Sequence, residues 1–198
     1  MRRLVVTDLR LQHFRKFSTP MRLAGLGEGL NLFCAANETG KSTLVEALNA
    51  AFFLRHRVSG AAAQRIRNAW DDASPAVRVE FSLGGAPYTL TKQFNRRTAA
   101  RLERPDGSVA LGDAAEEEVQ ALLGIETPGR GGLKREHLGV WGLLWVGQGE
   151  TLEPLLLEKP ARQSLEAVLA KEEIAAATGG NRTQHVIDAA QIALGKFL

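Results

Sequence analysis

The run Leu30-Asn31-Leu32-Phe33-Cys34-Ala35-Ala36-Asn37-Glu38-Thr39-Gly40-Lys41-Ser42-Thr43 decides the fold. Its first five residues are compact and mostly apolar, the pattern of a buried strand. Gly25, Gly27 and Gly29 ahead of it mark a turn. Lys41 to Leu54 contains no Gly or Pro, and Leu44, Ala47, Leu48 and Ala51 recur at i, i+3, i+4 and i+7, the apolar face of a helix. Between strand and helix, residues 35–43 fit the phosphate-loop pattern G-x-x-x-x-G-K-[ST]. Gly40, Lys41 and Ser42 are in register, and Ala35 stands where the first glycine is usual.

Such a loop has a defined chemistry. The backbone N–H groups of residues 37–42 converge on phosphate oxygens, helped by the helix N-terminus. Lys41 brings a point charge to the β- and γ-phosphates, and the Ser42 hydroxyl is placed for Mg²⁺. Gly40 lets the backbone approach closely. The nucleotide-binding candidates are therefore Ala36, Asn37, Glu38, Thr39, Gly40, Lys41, Ser42 and Thr43. Ala35 is harmless unless its position requires φ > 0, where a side chain costs roughly 1–2 kcal/mol.

Strand-like alternation precedes the loop. Val5, Thr7, Leu9 and Leu11 alternate with Val6, Asp8 and Arg10, and Met21-Arg22-Leu23 is a second short candidate. Residues 55–69 read as a connection or loose helix. Period two returns at Val77, Val79, Phe81 and Leu83, then after Gly84-Gly85 at Tyr88, Leu90 and Phe94. A strand at Ala100-Arg101-Leu102 leads to the turn Pro105-Asp106-Gly107. Residues 76–111 thus predict an antiparallel meander. A helix is expected from Asp113 as cap to Gly124 as terminator. Further helices are expected over 161–177 and 182–196, with an apolar stripe of Ile187, Ala190, Leu194 and Leu198 that predicts a continuing chain. The expected division is a lobe over 1–160 and a helical segment over 161–198.

Composition bounds the class. The 198 residues are 44% apolar and 24% charged, a globular mixture, and a net charge of +3 does not by itself argue for nucleic acid. A lone cysteine, Cys34, excludes an internal disulfide framework and fits a reducing compartment. Cys34 is expected to end the buried strand as an inert thiol. No apolar run reaches the roughly 18 residues a membrane span needs. The expectation is a soluble cytoplasmic protein, nucleoid-associated if bacterial, with no membrane partner.

Several stretches together carry a resemblance. Asn37-Glu38-Thr39-Gly40-Lys41-Ser42-Thr43 resembles the N-E-x-G-K-S-T loops of the Rad50/SbcC-like and SMC-like ATPases of the ABC class. Leu9-Arg10-Leu11-Gln12-His13-Phe14-Arg15-Lys16-Phe17 is similar to their first strand and its Phe-Arg pair, and Gly29-Leu30-Asn31 to the strand entering the loop. Trp145-Val146-Gly147-Gln148-Gly149-Glu150 resembles their Q-loop, and the long interval from Lys41 to Gln148 resembles the Rad50 type. The fold implied is an α/β P-loop NTPase: an ABC-ATPase-like head lobe with a mixed sheet, an antiparallel meander and C-terminal helices. The resemblance implies that Arg15 contacts phosphates and that Ser42 and Gln148 serve the Mg²⁺ of bound ATP, with Lys41 and Gln148 catalytic.

The same resemblance implies an ATPase that works as a head-to-head homodimer, acts in DNA repair or genome defence, and has a nuclease partner. This chain has no Asp-Glu dipeptide and no convincing Ser-Gly-Gly signature. Both would come from a C-terminal half, in cis or in trans, beyond a coiled coil, and hydrolysis would depend on it. The alternatives are a non-catalytic nucleotide-sensing module and a P-loop kinase or GTPase. No Asn-Lys-x-Asp supports a GTPase. Arg55, Arg57, Arg65 and Arg67, with Lys92, Arg96, Arg97, Arg101 and Arg104, are candidate DNA-phosphate contacts or a solvated face. Trp141 and Trp145 read as core. His13, His56, His137 and His185 show no ligand spacing.

Overall fold

A computed structural model describes residues 3–125 and Trp141. Residues 3–125 lie within one compact unit, Arg2–Lys134. The chain runs β1 (Leu4–Gln12), β2 (Met21–Ala24), α1 (Lys41–Phe53), α2 (Gly60–Ile66), β3 (Ala76–Leu83), β4 (Ala86–Gln93), β5 (Ala99–Glu103), β6 (Val109–Leu111) and α3 (Gly112–Leu123). The six strands form one sheet in the order β2-β1-β3-β4-β5-β6, and every pairing is antiparallel.

Alternation sets which face is which. Leu9 and Leu11 of β1, Val77, Val79, Phe81 and Leu83 of β3, Leu90 of β4 and Leu102 of β5 are all buried. Helices α1 and α3 cover this face with Ala47, Ala50, Phe52 and Phe53, and with Ala115, Val119 and Leu123. Phe52 meets Phe81 edge-on at 5.4 Å, which joins α1 to the sheet centre. The meander predicted over 76–111 is present, as is the helix after the phosphate loop. Gly124 ends α3 in the left-handed region at φ 68°, its N–H and that of Ile125 closing on carbonyls of the last turn. The N-cap of α3 is Leu111 rather than Asp113, which sits in the first turn.

The opposite face is a charge lattice. Registers Arg22↔Arg10↔Arg78↔Thr91↔Arg101 run straight across five strands. Beside them runs the row Asp8↔Glu80↔Thr89↔Glu103. Ion pairs stitch the rows together: Arg22–Asp8, Arg10–Asp8, Arg10–Glu80, Arg78–Glu80, Arg78–Glu103 and Arg101–Glu103. Like charges directly opposite one another destabilise a sheet. Here each arginine leans on a carboxylate of the next row.

One expectation fails. Leu30–Cys34 forms no strand; Leu30 and Leu32 are 94% and 78% exposed, and Cys34 is exposed too. The described sheet is accordingly antiparallel throughout rather than mixed. Both edges of β1 are taken, by β2 and β3, and the remaining edges belong to short strands. The run pairs with neither of the open edge strands, β2 and β6. The segment is instead held locally by Asn31, whose amide bonds the carbonyls of Gly27 and Gly29 and the N–H of Gly27. The expected helices over 161–177 and 182–196 lie outside the described residues, as does any boundary near 160.

Candidate functional site

The phosphate loop closes at the N-terminus of α1. Gly40 caps the helix with φ 106°, a left-handed conformation that suits glycine. A Cβ here would lie 2.6 Å from the tip of the Phe17 ring, which would have to shift to admit it. Glu38 is also left-handed, at φ 63°, whereas Ala35 is not. The departure from the usual glycine at 35 therefore carries no backbone strain.

Lys41 folds back over its own loop. Its Nζ donates to the carbonyls of Ala35 at 2.6 Å and Ala36 at 2.7 Å. The Thr39 hydroxyl donates to Ala36 O at 2.9 Å and braces the same turn. Asn37, Glu38, Thr39 and Ser42 are exposed, while Thr43 is buried against the core. The amine thus lies over an exposed loop, at the helix end where N–H groups lack intrahelical partners. This donor set fits a phosphate chain, and the Ser42 hydroxyl at the second helical position fits an accompanying Mg²⁺.

Arg15 comes to the same helix from β1. It sits at φ 50° in a tight return in which Phe14 and Phe17 exchange backbone hydrogen bonds at 3.0 Å. Its N–H donates to Ile66 O, its carbonyl accepts from Ala69, and its guanidinium pairs with Glu46 of α1. The structure therefore brings Arg15 beside the phosphate-loop helix, held by a carboxylate. Gln148 and the rest of Trp145–Glu150 lie outside the described residues. A cleft of about 250 Å³ opens just upstream of the loop, lined by Val5, Leu26, Phe33 and Leu48 among others.

The basic candidates for DNA separate. Lys92 is 2% exposed, on the core side with Leu90, paired with Glu116 at 3.2 Å and donating to Leu54 O at 2.8 Å. It is not available to a phosphate backbone. Burial pushes its amine below the usual lysine range, and the Glu116 charge and hydrogen bond oppose that shift. Arg67 and Arg96 both pair with Asp72, Arg104 grips Glu118 through two bonds of 2.6 Å, and Arg57 lies 3.4 Å from Asp113. Sequence reading missed the buried group of Lys92, Glu116 and His56. The available signal was that Lys92 shares the alternation of Leu90 and Phe94.

The AAA domain family matches residues 8–128, and the chain belongs to it. Two curated relatives, "Uncharacterized protein Rv1278" of Mycobacterium tuberculosis and "Uncharacterized protein Mb1309" of Mycobacterium bovis, are each 30% identical over 97 residues. The match takes in 48% of this chain and only 11% of either relative. Among solved structures, one described as "Structural biochemistry of ATP-driven dimerization and DNA stimulated activation of SMC ATPases" matches at 17% identity and a TM-score of 0.34. That match covers 61% of this chain and 78% of the other. No described helix is long and apolar enough to cross a membrane.

Proposed function

We propose that the chain is the N-terminal, ATP-binding lobe of a Rad50/SbcC-like or SMC-like ATPase. The observation that carries the reading is the loop at α1: Lys41 Nζ arched over the Ala35 and Ala36 carbonyls, with left-handed Gly40 locked against Phe17. Lys41 and the amides of residues 36–43 bind the triphosphate, and Ser42 orients Mg²⁺, whose charge offsets that of the phosphates. Arg15 exchanges Glu46 for a phosphate oxygen. Gln148 reports the nucleotide state, and Lys41 and Gln148 serve hydrolysis once a C-terminal half supplies the activating carboxylate and signature. Exposed Leu30 and Leu32 offer that half an apolar seam beside the loop. Head-to-head pairing on ATP, action on DNA with a nuclease in the cytoplasm or nucleoid, and use in repair or defence complete the reading.

The test is equilibrium binding of ATP with Mg²⁺ to the chain and to Lys41→Ala. Loss of binding by tenfold or more in the variant supports the reading. Equal affinity, or a preference for GTP, sinks it.

A further inference from the structure

A second cluster lies away from the phosphate loop, where the turn after α1 meets the start of α3. His56 and Glu116 are 2% and 3% exposed, and Asp113 stands at the mouth. One ligand atom from each of the three falls within 4.8 Å of the others. Asp113 and Glu116 are three apart on α3, so they share a face.

The carboxylate of Glu116 is divided between two tasks. Its Oε1 accepts the His56 backbone N–H at 2.6 Å and faces Lys92 Nζ at 3.2 Å. Its Oε2 lies 3.2 Å from His56 Nδ1, yet the two are misaligned and neither has a hydrogen-bond partner among the described residues. Two buried atoms without a hydrogen bond, one nitrogen and one oxygen, thus lie side by side, with an Asp113 carboxylate oxygen within 4.8 Å. Buried polar atoms are rarely left so. Two donors each about 2.1 Å from a shared ion and 3.2 Å from each other subtend about 100° at it, between octahedral and tetrahedral.

We propose that His56 Nδ1, Glu116 Oε2 and an Asp113 carboxylate oxygen bind a divalent transition-metal cation, with Zn²⁺ the best match to this donor set. Lys92 and the His56 N–H act as outer partners that fix Glu116 through its other oxygen. Asp113 closes the site from the solvent side by releasing Arg57, an exposed pair that contributes little. Lys92, Arg55 and Arg57 put positive charge around the site, so it is weaker than one built from carboxylates alone. The ion clasps the turn after α1 to the start of α3.

The experiment is thermal unfolding of the full chain with and without Zn²⁺, beside Asp113→Ala, His56→Ala and Lys41→Ala. Saturating Zn²⁺ is expected to raise Tm by about 5 °C in the parent and in Lys41→Ala. The rise should vanish in Asp113→Ala, a surface change that leaves the core intact, and in His56→Ala if that variant folds. Co²⁺ substitution should give visible absorption bands that Asp113→Ala removes. No shift in the parent, or an undiminished shift in Asp113→Ala, overturns the site. Retention in Lys41→Ala separates it from the nucleotide reading.

Discussion

Arg15, in the return after β1, is ion-paired with Glu46 on the second turn of the helix that begins at the phosphate loop. Both side chains are about two-fifths exposed, so the pair contributes at most about 1 kcal/mol. It is weak enough for a phosphate to displace. Glu46→Ala should therefore release Arg15 and tighten ATP binding by up to about fivefold. Arg15→Ala should weaken it by about tenfold or more, as loss of a charged hydrogen bond does. Titration calorimetry on both variants decides the matter. A Glu46→Ala protein that binds ATP no better than the parent removes Arg15 from the phosphate contacts.

The two small residues of the loop should behave in opposite ways. Gly40→Ala places a methyl in the left-handed region and against the Phe17 ring, so a loss of at least about 1–2 kcal/mol in stability is expected. Ala35→Gly restores the common motif but relieves no strain, because Ala35 is not left-handed. Its ATP affinity should stay within about twofold of the parent. Chemical denaturation tests the first expectation and nucleotide titration the second.

Acid should expose the role of Asp8. Burial alone would raise its carboxyl, but hydrogen bonds from Arg22 at 2.7 Å and Arg10 at 2.9 Å, with their charges, hold it below the usual aspartate range. A group depressed in the folded state stabilises fully above its unfolded value of about 3.9 and loses that contribution as pH falls through the folded value. Asp8→Asn should be less stable than the parent at pH 7, and the gap should close below about pH 4. Melting curves across this range check the sign; a gap that widens in acid contradicts it.

Lys92 and Glu116 form a buried pair whose members cannot be removed singly. Lys92→Met leaves a carboxylate in the core and should cost about 3–5 kcal/mol, whereas Lys92→Met with Glu116→Leu should recover part of that loss, the His56 N–H and Leu54 carbonyl losing their partners. A double variant no better than the single would show that the surrounding packing, rather than the charge, carries the effect.

These residues also show what was legible in the sequence. The alternation of Val77, Val79, Phe81 and Leu83 reports a face, and a face is a local property. The phosphate loop was legible for the same reason, as Gly40, Lys41 and Ser42 sit together at one helix start and a helix cap leaves a short-range mark. Leu30–Cys34 carried an equally good local pattern but pairs with no strand of the described sheet, and pairing depends on where distant strands lie. Lys92 was grouped with surface cations by residue type although its position in the alternation faces inward. The meeting of His56 with Asp113 and Glu116 spans elements far apart in sequence, so no spacing rule could find it.

The order of strands has a kinetic meaning. From β3 to β6 each strand pairs with the next along the chain, through a short connection. Pairing of β1 with β3 sets Leu4 against Leu83 and closes a loop that contains the whole phosphate loop and α1. Nearby contacts form at lower entropic cost than distant ones. The meander and α3 are therefore expected to assemble first and to template the rest. The nucleotide cradle is expected to take shape only when the first strand returns to the sheet, and substitutions at Leu9 should slow the gain of ATP binding more than the gain of β structure.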